Sequence, residues 1–106
     1  MIIEYVKENR NLILKIDGEI DHHSCEQIKK EADYEIQRNA PKRLTFDMKN
    51  VNFMDSSGIG LIIGRYKYLL RIGGETEIIN VNKEVKRILD MSGIFKIIPI
   101  QEEVTV

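Results

Sequence analysis

The spacing of hydrophobic and polar residues changes along the chain, and each change predicts a new element. Two β-branched runs, Ile2–Val6 and Leu12–Ile16, enclose a short polar segment, which predicts an antiparallel hairpin. Helical spacing follows and ends at Pro41, and the pair Ser24 and Gln27 is a candidate capping box for the start of that helix. The apolar face of this predicted helix consists of Cys25, Ile28, Ala32 and Ile36.

Three further apolar runs predict strands in the rest of the chain. Leu44–Met48 is short and apolar, as expected of a central strand, and Thr76–Val81 supplies the next one. Ile97–Ile100 predicts the last strand, at an edge of the sheet because Pro99 has no N–H to donate. The order β-β-α-β-α-β-α-β predicts an α/β fold with a mixed, largely parallel β-sheet and helices packed against it.

Two more helices connect these strands. The first begins where Asp55 or Ser56 can act as N-cap, and it stops at Gly73. The second begins after Asn82, another capping residue, and Gly93 stands where a C-terminal cap is expected. The first of these two helices carries apolar residues at helical spacing, at Ile59, Ile62, Ile63, Tyr66, Leu69 and Leu70.

Composition and charge narrow the class of protein. A chain of 106 residues and 12.3 kDa has the size of one domain, so residues 1–106 are expected to form a single unit. The 16 basic and 17 acidic residues give a net charge of -1, which provides no overall basic field for nucleic acid or an anionic membrane. The single cysteine excludes an internal disulfide, and no apolar run resembles a signal peptide, so a cytoplasmic location is expected.

The segment Asp55-Ser56-Ser57-Gly58 joins a predicted strand to a predicted helix. Ser57 falls in the first helical turn, where free main-chain N–H groups and the positive end of the helix dipole favour an anion. Phosphorylation of Ser57 would therefore add charge without melting the helix. The same serines also suit a purely structural role as helix caps, and the motif by itself favours that role.

A stripe of small and basic residues continues from Ser57 along the same helix. It consists of Gly60, Gly64, Lys67 and Arg71. Each glycine inside a helix costs about 1 kcal/mol relative to alanine, so another backbone is expected to approach this face closely. That neighbour is either the domain's own sheet and helices or a partner protein, and the spacing leaves both readings open.

Three other chemistries receive weaker support. Gly58, Gly60 and Gly64 resemble a dinucleotide-binding fingerprint, but the third glycine comes one residue late and the chain is too short for that fold. A small nucleotide-binding domain remains the alternative from another class of function. The segment Asp21–Cys25 lacks the further ligands of a metal site. A hydrolase built on Ser57 would lack the nucleophile elbow and an oxyanion loop. The sequence therefore predicts no catalytic residue, no metal and no cofactor.

Several segments together carry a family resemblance. They are Gly18–His23, Phe53–Gly60, Gly64–Lys67, Ile72–Glu75 and Val85–Ile98, which are spread over most of the chain. In these segments the sequence resembles the STAS domains of bacterial anti-sigma factor antagonists, and most of all those that act on anti-sigma F factor in sporulation. Relatives usually continue into a C-terminal helix, and since only Gln101–Val106 remain here, that helix is expected to be short or absent.

The resemblance also implies a function and a set of residues. The second serine of the family's motif is the one phosphorylated, and it corresponds to Ser57. The implied partners are an anti-sigma factor that is also a serine kinase using ATP, and a serine phosphatase that restores the unphosphorylated form. A general-stress or stressosome-type antagonist is the alternative within the family, and no nucleic acid or membrane partner is expected. Together with the glycine stripe, the resemblance predicts partner-binding residues at Asp21, His22, Asp55, Ser56, Gly58, Gly60, Gly64 and Lys67.

Overall fold

A computed structural model of the chain describes residues 1–102. Within that range five strands and three α-helices follow one another in the predicted order. The strands are β1 (Ile2–Val6), β2 (Asn11–Ile20), β3 (Arg43–Met54), β4 (Glu75–Val81) and β5 (Ile100–Glu102). The helices are α1 (His22–Asn39), α2 (Ser56–Arg71) and α3 (Lys83–Ser92), and a single 3-10 turn follows at Ile94–Lys96. No helix in the described range is both long enough and apolar enough to cross a membrane.

The strands form one sheet in the order β1-β2-β3-β4-β5. β1 runs antiparallel to β2, and β2 to β5 run parallel to one another, so the predicted α/β fold with a mixed, largely parallel sheet is confirmed. Right-handed connections between strands in this order place all three helices on one face of the sheet. Helix α2 lies between α1 and α3 and contacts both of them.

The core lies between the helices and the face of the sheet that they cover. Leu14, Phe46 and Ile78 stand in register on β2, β3 and β4, and all three are fully buried. The opposite face is polar and carries, for example, the ion pair between Lys15 Nζ and Glu4 Oε1 at 2.9 Å. A slip of one residue would exchange the two faces, so the contrast between them fixes the register and the positions of the strand ends.

The last strand begins later than its apolar run predicts. The prediction of a strand at Ile97–Ile100 is wrong except for its final residue, which opens β5. Gly93 ends α3 with a φ of 75°, and the chain then turns so that the Ile98 N–H donates to the Ile94 carbonyl at 2.9 Å. These local bonds occupy residues that the apolar run assigned to the sheet. The predicted short or absent C-terminal helix concerns residues 103–106, which lie outside the described range.

Helix α2 turns a different face inward from the one that its apolar residues predict. Its buried residues are Gly58, Leu61, Ile62, Arg65 and Leu69. Leu70, which the pattern placed on the apolar face, is 54% exposed, so the prediction is wrong by about a quarter of a turn. The rotation has a cause that hydrophobicity does not report. Arg65 is buried because its Nε lies 2.9 Å from the carboxylate of Asp33 on α1.

Candidate functional site

All three helices begin at the edge of the sheet where the parallel strands end. Asp21 follows β2, Asp55 follows β3 and Asn82 follows β4, and each is the N-cap of the next helix. The first two turns are joined directly, since the Asp55 N–H donates to the Ile20 carbonyl at 3.1 Å. We call the edge of the sheet where the three helices begin the carboxyl edge. Open α/β sheets place their binding sites there, because the connecting loops cluster at the strand ends.

The turn before α1 is closed by reciprocal hydrogen bonds. Asp21 Oδ1 accepts from the N–H groups of His23 at 3.0 Å and Ser24 at 2.9 Å, and Ser24 Oγ accepts from the Asp21 N–H at 3.0 Å. The bond from the Ser24 main chain lowers the pKa of Asp21, because it favours the ionised carboxylate. The capping box predicted from Ser24 and Gln27 is wrong. The helix begins at His22, so Asp21 is the N-cap and Ser24 is the third helical residue.

The turn before α2 is capped more simply. Asp55 Oδ1 accepts from the Ser57 N–H at 2.8 Å, so of the two predicted caps Asp55 fills the role. Ser56 is exposed and Ser57 is half-buried. Among residues 1–102, no hydrogen bond uses the Ser57 hydroxyl, whose main-chain N–H alone is engaged by the cap. The hydroxyl is therefore uncommitted at the point where α2 presents its free N–H groups.

Gly58 lies at the contact between α2 and the sheet. A Cβ at this position would come within 2.5 Å of Met54 Cγ and Sδ, and within 3.1 Å of Ile20 Cγ2. Gly58 is buried, so of the predicted partner-binding residues it contributes packing and not an exposed contact. Sequence reasoning missed Ile20 and Met54, because nothing in the motif distinguishes a glycine that packs from one that faces a partner.

Gly60 and Gly64 have the opposite environment. A Cβ at either position would meet no atom within 4 Å, so the domain's own packing does not require these two glycines. Of the two readings left open by the spacing, close packing inside the domain is therefore wrong. Lys67 is exposed further along the same face, ten residues or about 15 Å from Ser57. Arg71 ends the stripe with its guanidinium 5.3 Å from the centre of the Tyr68 ring.

The histidines and the cysteine of the first turn do not converge on a common point. His22 and His23 are exposed, with their ring centres 6.0 Å apart and their planes at 66°. Cys25 packs against the core, and burial together with the carboxylates of Asp55 and Asp21 raises the pKa of its thiol. In the described part of the chain, no three His, Cys, Asp or Glu side chains are grouped to hold a metal ion.

Comparison with known proteins identifies this arrangement of capped turns on a mixed sheet. A model of the STAS domain matches residues 3–105. The chain belongs to the STAS domain family. This chain is 46% identical over 91 residues to an anti-sigma F factor antagonist of Paenibacillus polymyxa. The alignment covers 86% of this chain and 78% of that one.

Two further relatives support the same grouping. This chain is 32% identical over 96 residues to an anti-sigma-B factor antagonist of Bacillus subtilis, and the alignment covers 90% of this chain and 86% of that one. The solved structure of the antagonist SpoIIAA in its unphosphorylated form superposes with a TM-score of 0.82 at 29% identity, covering 93% of this chain and 85% of that one. This chain is thus grouped with anti-sigma factor antagonists.

Proposed function

We propose that this STAS domain is a partner-switching antagonist whose switch is Ser57. In the unphosphorylated form it binds an anti-sigma factor that is also a serine kinase, and a sporulation sigma factor is released. The Ser57 Oγ then attacks the γ-phosphorus of ATP on the kinase, ADP leaves, and the hydroxyl proton passes to a base of the kinase. A serine phosphatase later hydrolyses the ester with water, which returns the hydroxyl and releases inorganic phosphate.

The uncommitted hydroxyl of Ser57 is the observation that supports this proposal best. The Asp55 carboxylate already closes the turn through the Ser57 N–H at 2.8 Å, so the turn does not need the hydroxyl. A phosphate at this position lies near the free N–H groups of the first turn, where a negative charge gains about 0.3 to 1 kcal/mol. The modified protein should therefore stay folded.

The same phosphate is expected to end the complex. It adds about -1.5 to -2 charges to a surface that must dock beside the nucleotide phosphates of the kinase. Like charges placed together at an interface cost several kcal/mol, and each 1.4 kcal/mol corresponds to about tenfold in affinity. Folding and binding consequently respond to phosphorylation in opposite ways, which is what a reversible switch requires.

The surface beside Ser57 supplies a face for the partner. Gly60 and Gly64 leave the backbone of α2 open to an approaching chain, and Lys67 follows on the same side. Asp21 and His22 lie on the neighbouring turn, which the Asp55 main chain joins to this one. We propose that the partner contacts these residues on both sides of the phosphorylation site.

The decisive experiment incubates the purified chain with an anti-sigma F kinase and ATP, and follows the intact mass. We expect one phosphoryl group per chain in the wild type and none in Ser57→Ala. Ser56→Ala is the matched control, since Ser56 is the exposed neighbour in the same turn, and at the end point it should still carry one phosphoryl group per chain. Labelling that persists in Ser57→Ala contradicts the assignment of the site.

The relatives support one choice between the sigma factors. Identity is 46% to the anti-sigma F factor antagonist and 32% to the anti-sigma-B factor antagonist, which favours the sporulation partner over the general-stress one. Competition between F-type and B-type kinases for a limiting amount of the chain tests this choice. Preferential capture by the B-type kinase would reverse it.

A further inference from the structure

We propose that an apolar groove beside Ser57 anchors the anti-sigma factor kinase, an inference that rests on the proposed function and adds a contact to it. The groove has a volume of about 250 Å³ and lies between the end of β3 and the first turns of α3. Its lining residues are Phe53, Met54, Glu84, Val85, Arg87 and Ile88. We call it the Phe53 groove.

The Phe53 groove is continuous with the turn that carries Ser57. Met54 lines the groove, and the same side chain lies directly against Gly58, where an added Cβ would be 2.5 Å away. On the far side, Asn82 ties the start of α3 to β3, since its Nδ2 donates to the Val51 carbonyl at 2.9 Å. The groove therefore sits between two capped helix starts, on the α3 side of Ser57.

Phe53 gives this groove an exposed aromatic side chain. It is 48% exposed, although it lies only two residues before the Asp55 cap. Other large apolar side chains that are exposed among residues 1–102 lie on β1, in the later turns of the helices or just after α2 or α3. They are Ile2, Tyr34, Leu70, Ile72, Met91, Phe95 and Ile97. At the carboxyl edge, Phe53 is thus the large apolar group that an approaching protein would meet.

The usual size of a protein interface puts this groove within reach of the kinase. A typical interface buries about 800 Å² on each partner, which corresponds to a disc with a radius of about 16 Å. Phe53 is four residues from Ser57, so their Cα atoms are at most about 15 Å apart. An interface of this size centred on Ser57 therefore reaches as far as Phe53. Glu84 and Arg87 supply the polar rim that usually surrounds such an aromatic anchor.

Two phenylalanines of matched exposure make the test. Phe53 is 48% and Phe95 is 49% exposed, but Phe95 lies in the 3-10 turn after α3, at the end of that helix away from Ser57. The dissociation constant for the kinase with ADP, and KM and kcat for phosphorylation with ATP, are measured for Phe53→Ser and Phe95→Ser. We expect Phe53→Ser to raise the dissociation constant and KM by about tenfold or more, with kcat unchanged. Phe95→Ser should change the dissociation constant and KM by no more than about twofold.

A second variant and a melting curve separate lost contact from lost fold. Phe53→Leu keeps an apolar side chain and should recover most of the affinity, with a melting temperature close to that of Phe53→Ser. Affinity within about twofold of the wild type for Phe53→Ser, or an equal loss for Phe95→Ser, overturns the groove as an anchor. A wild-type chain that binds the kinase without being phosphorylated overturns the role of Ser57 instead, and the two dissociation constants still decide the groove.

Discussion

Two strand-to-helix turns stand side by side at the carboxyl edge, and each begins with an aspartate N-cap followed by a serine in the first helical turn. In the first, Ser24 Oγ accepts from the Asp21 N–H at 3.0 Å and donates to the Glu19 carbonyl at 2.9 Å, so its hydroxyl completes the turn. In the second, Ser57 gives Asp55 only its main-chain N–H. A serine in such a turn is open to modification when the aspartate alone closes it.

The helices that follow these turns also differ in how fully their residues serve the domain's own packing. α1 buries Ile28, Ala32 and Ile36 against the core and covers its outer face mainly with charged and polar residues. α2 leaves Gly60 and Gly64 facing open space, although each glycine costs helix stability. The first turn and its helix contribute to holding the domain together, whereas the second helix gives up stability for an open stretch of backbone, which we propose a partner approaches.

The largest expected effect is the change in kinase affinity when a negative charge is added to one turn or the other. Ser57→Asp should lower kinase affinity by about a hundredfold or more, because like charges at an interface cost several kcal/mol, and leave the melting temperature nearly unchanged. Ser24→Asp adds the same charge to the other turn but removes the hydroxyl that completes the capping box, so it should lower the melting temperature. Binding calorimetry and thermal melts of both variants show whether the two turns respond differently to the added charge. Equal losses of affinity would show that the two turns do not differ as proposed.

The next effect is the change in stability when alanine replaces one of two glycines of α2. Gly58→Ala forces a Cβ against Met54 and Ile20 and should destabilise the domain by about 1 to 3 kcal/mol in urea unfolding. Gly60→Ala meets no atom within 4 Å and should stabilise the free domain by about 1 kcal/mol. If a partner approaches this face, the same Gly60→Ala change also weakens kinase binding.

Gly60→Ala thus carries a signature that no purely structural role produces, a gain in stability together with a loss in affinity. Gly64→Ala, which also has open space around it, provides a second measurement of the same kind. If both variants are more stable and bind the kinase as well as the wild type, then the glycine stripe is not part of the docking surface.

A smaller effect separates the two aspartate caps. Asp55→Ala removes one capping bond and should cost about 1 kcal/mol, or about 4 to 8 °C in melting temperature for a domain near this size. Asp21→Ala removes two bonds to the helix start and keeps only the bond from the Asp21 N–H to Ser24 Oγ, so its melting temperature should fall further. A larger fall for Asp55→Ala would mean that the second turn is the more strongly built one.

The sequence supports these comparisons only as far as local patterns reach. The caps at Asp55 and Asn82 and the glycine that ends α3 were predictable, because each acts within a few residues of itself. The orientation of α2 was not, since it depends on the burial of Arg65 beside Asp33, a residue 32 positions away on another helix. The roles of the glycines were equally hidden. Gly58 and Gly60 are two residues apart, yet only the folded sheet determines which of them is packed.

The smallest expected effect tests how the Asp21 turn responds to acid. The folded state holds the pKa of Asp21 below its ordinary value of 3.8, chiefly through the bond from the Ser24 main chain, so the ionised carboxylate stabilises the fold. That contribution is complete above the ordinary value and is lost as the pH falls through the lowered one. Asp21→Asn keeps a capping oxygen without the charge, so the difference in urea midpoint between wild type and variant should shrink from about pH 5 to about pH 3. A difference that stays constant or grows over that range would show that the charge of Asp21 does not contribute to stability, and the capping geometry alone would then distinguish the first turn from the second.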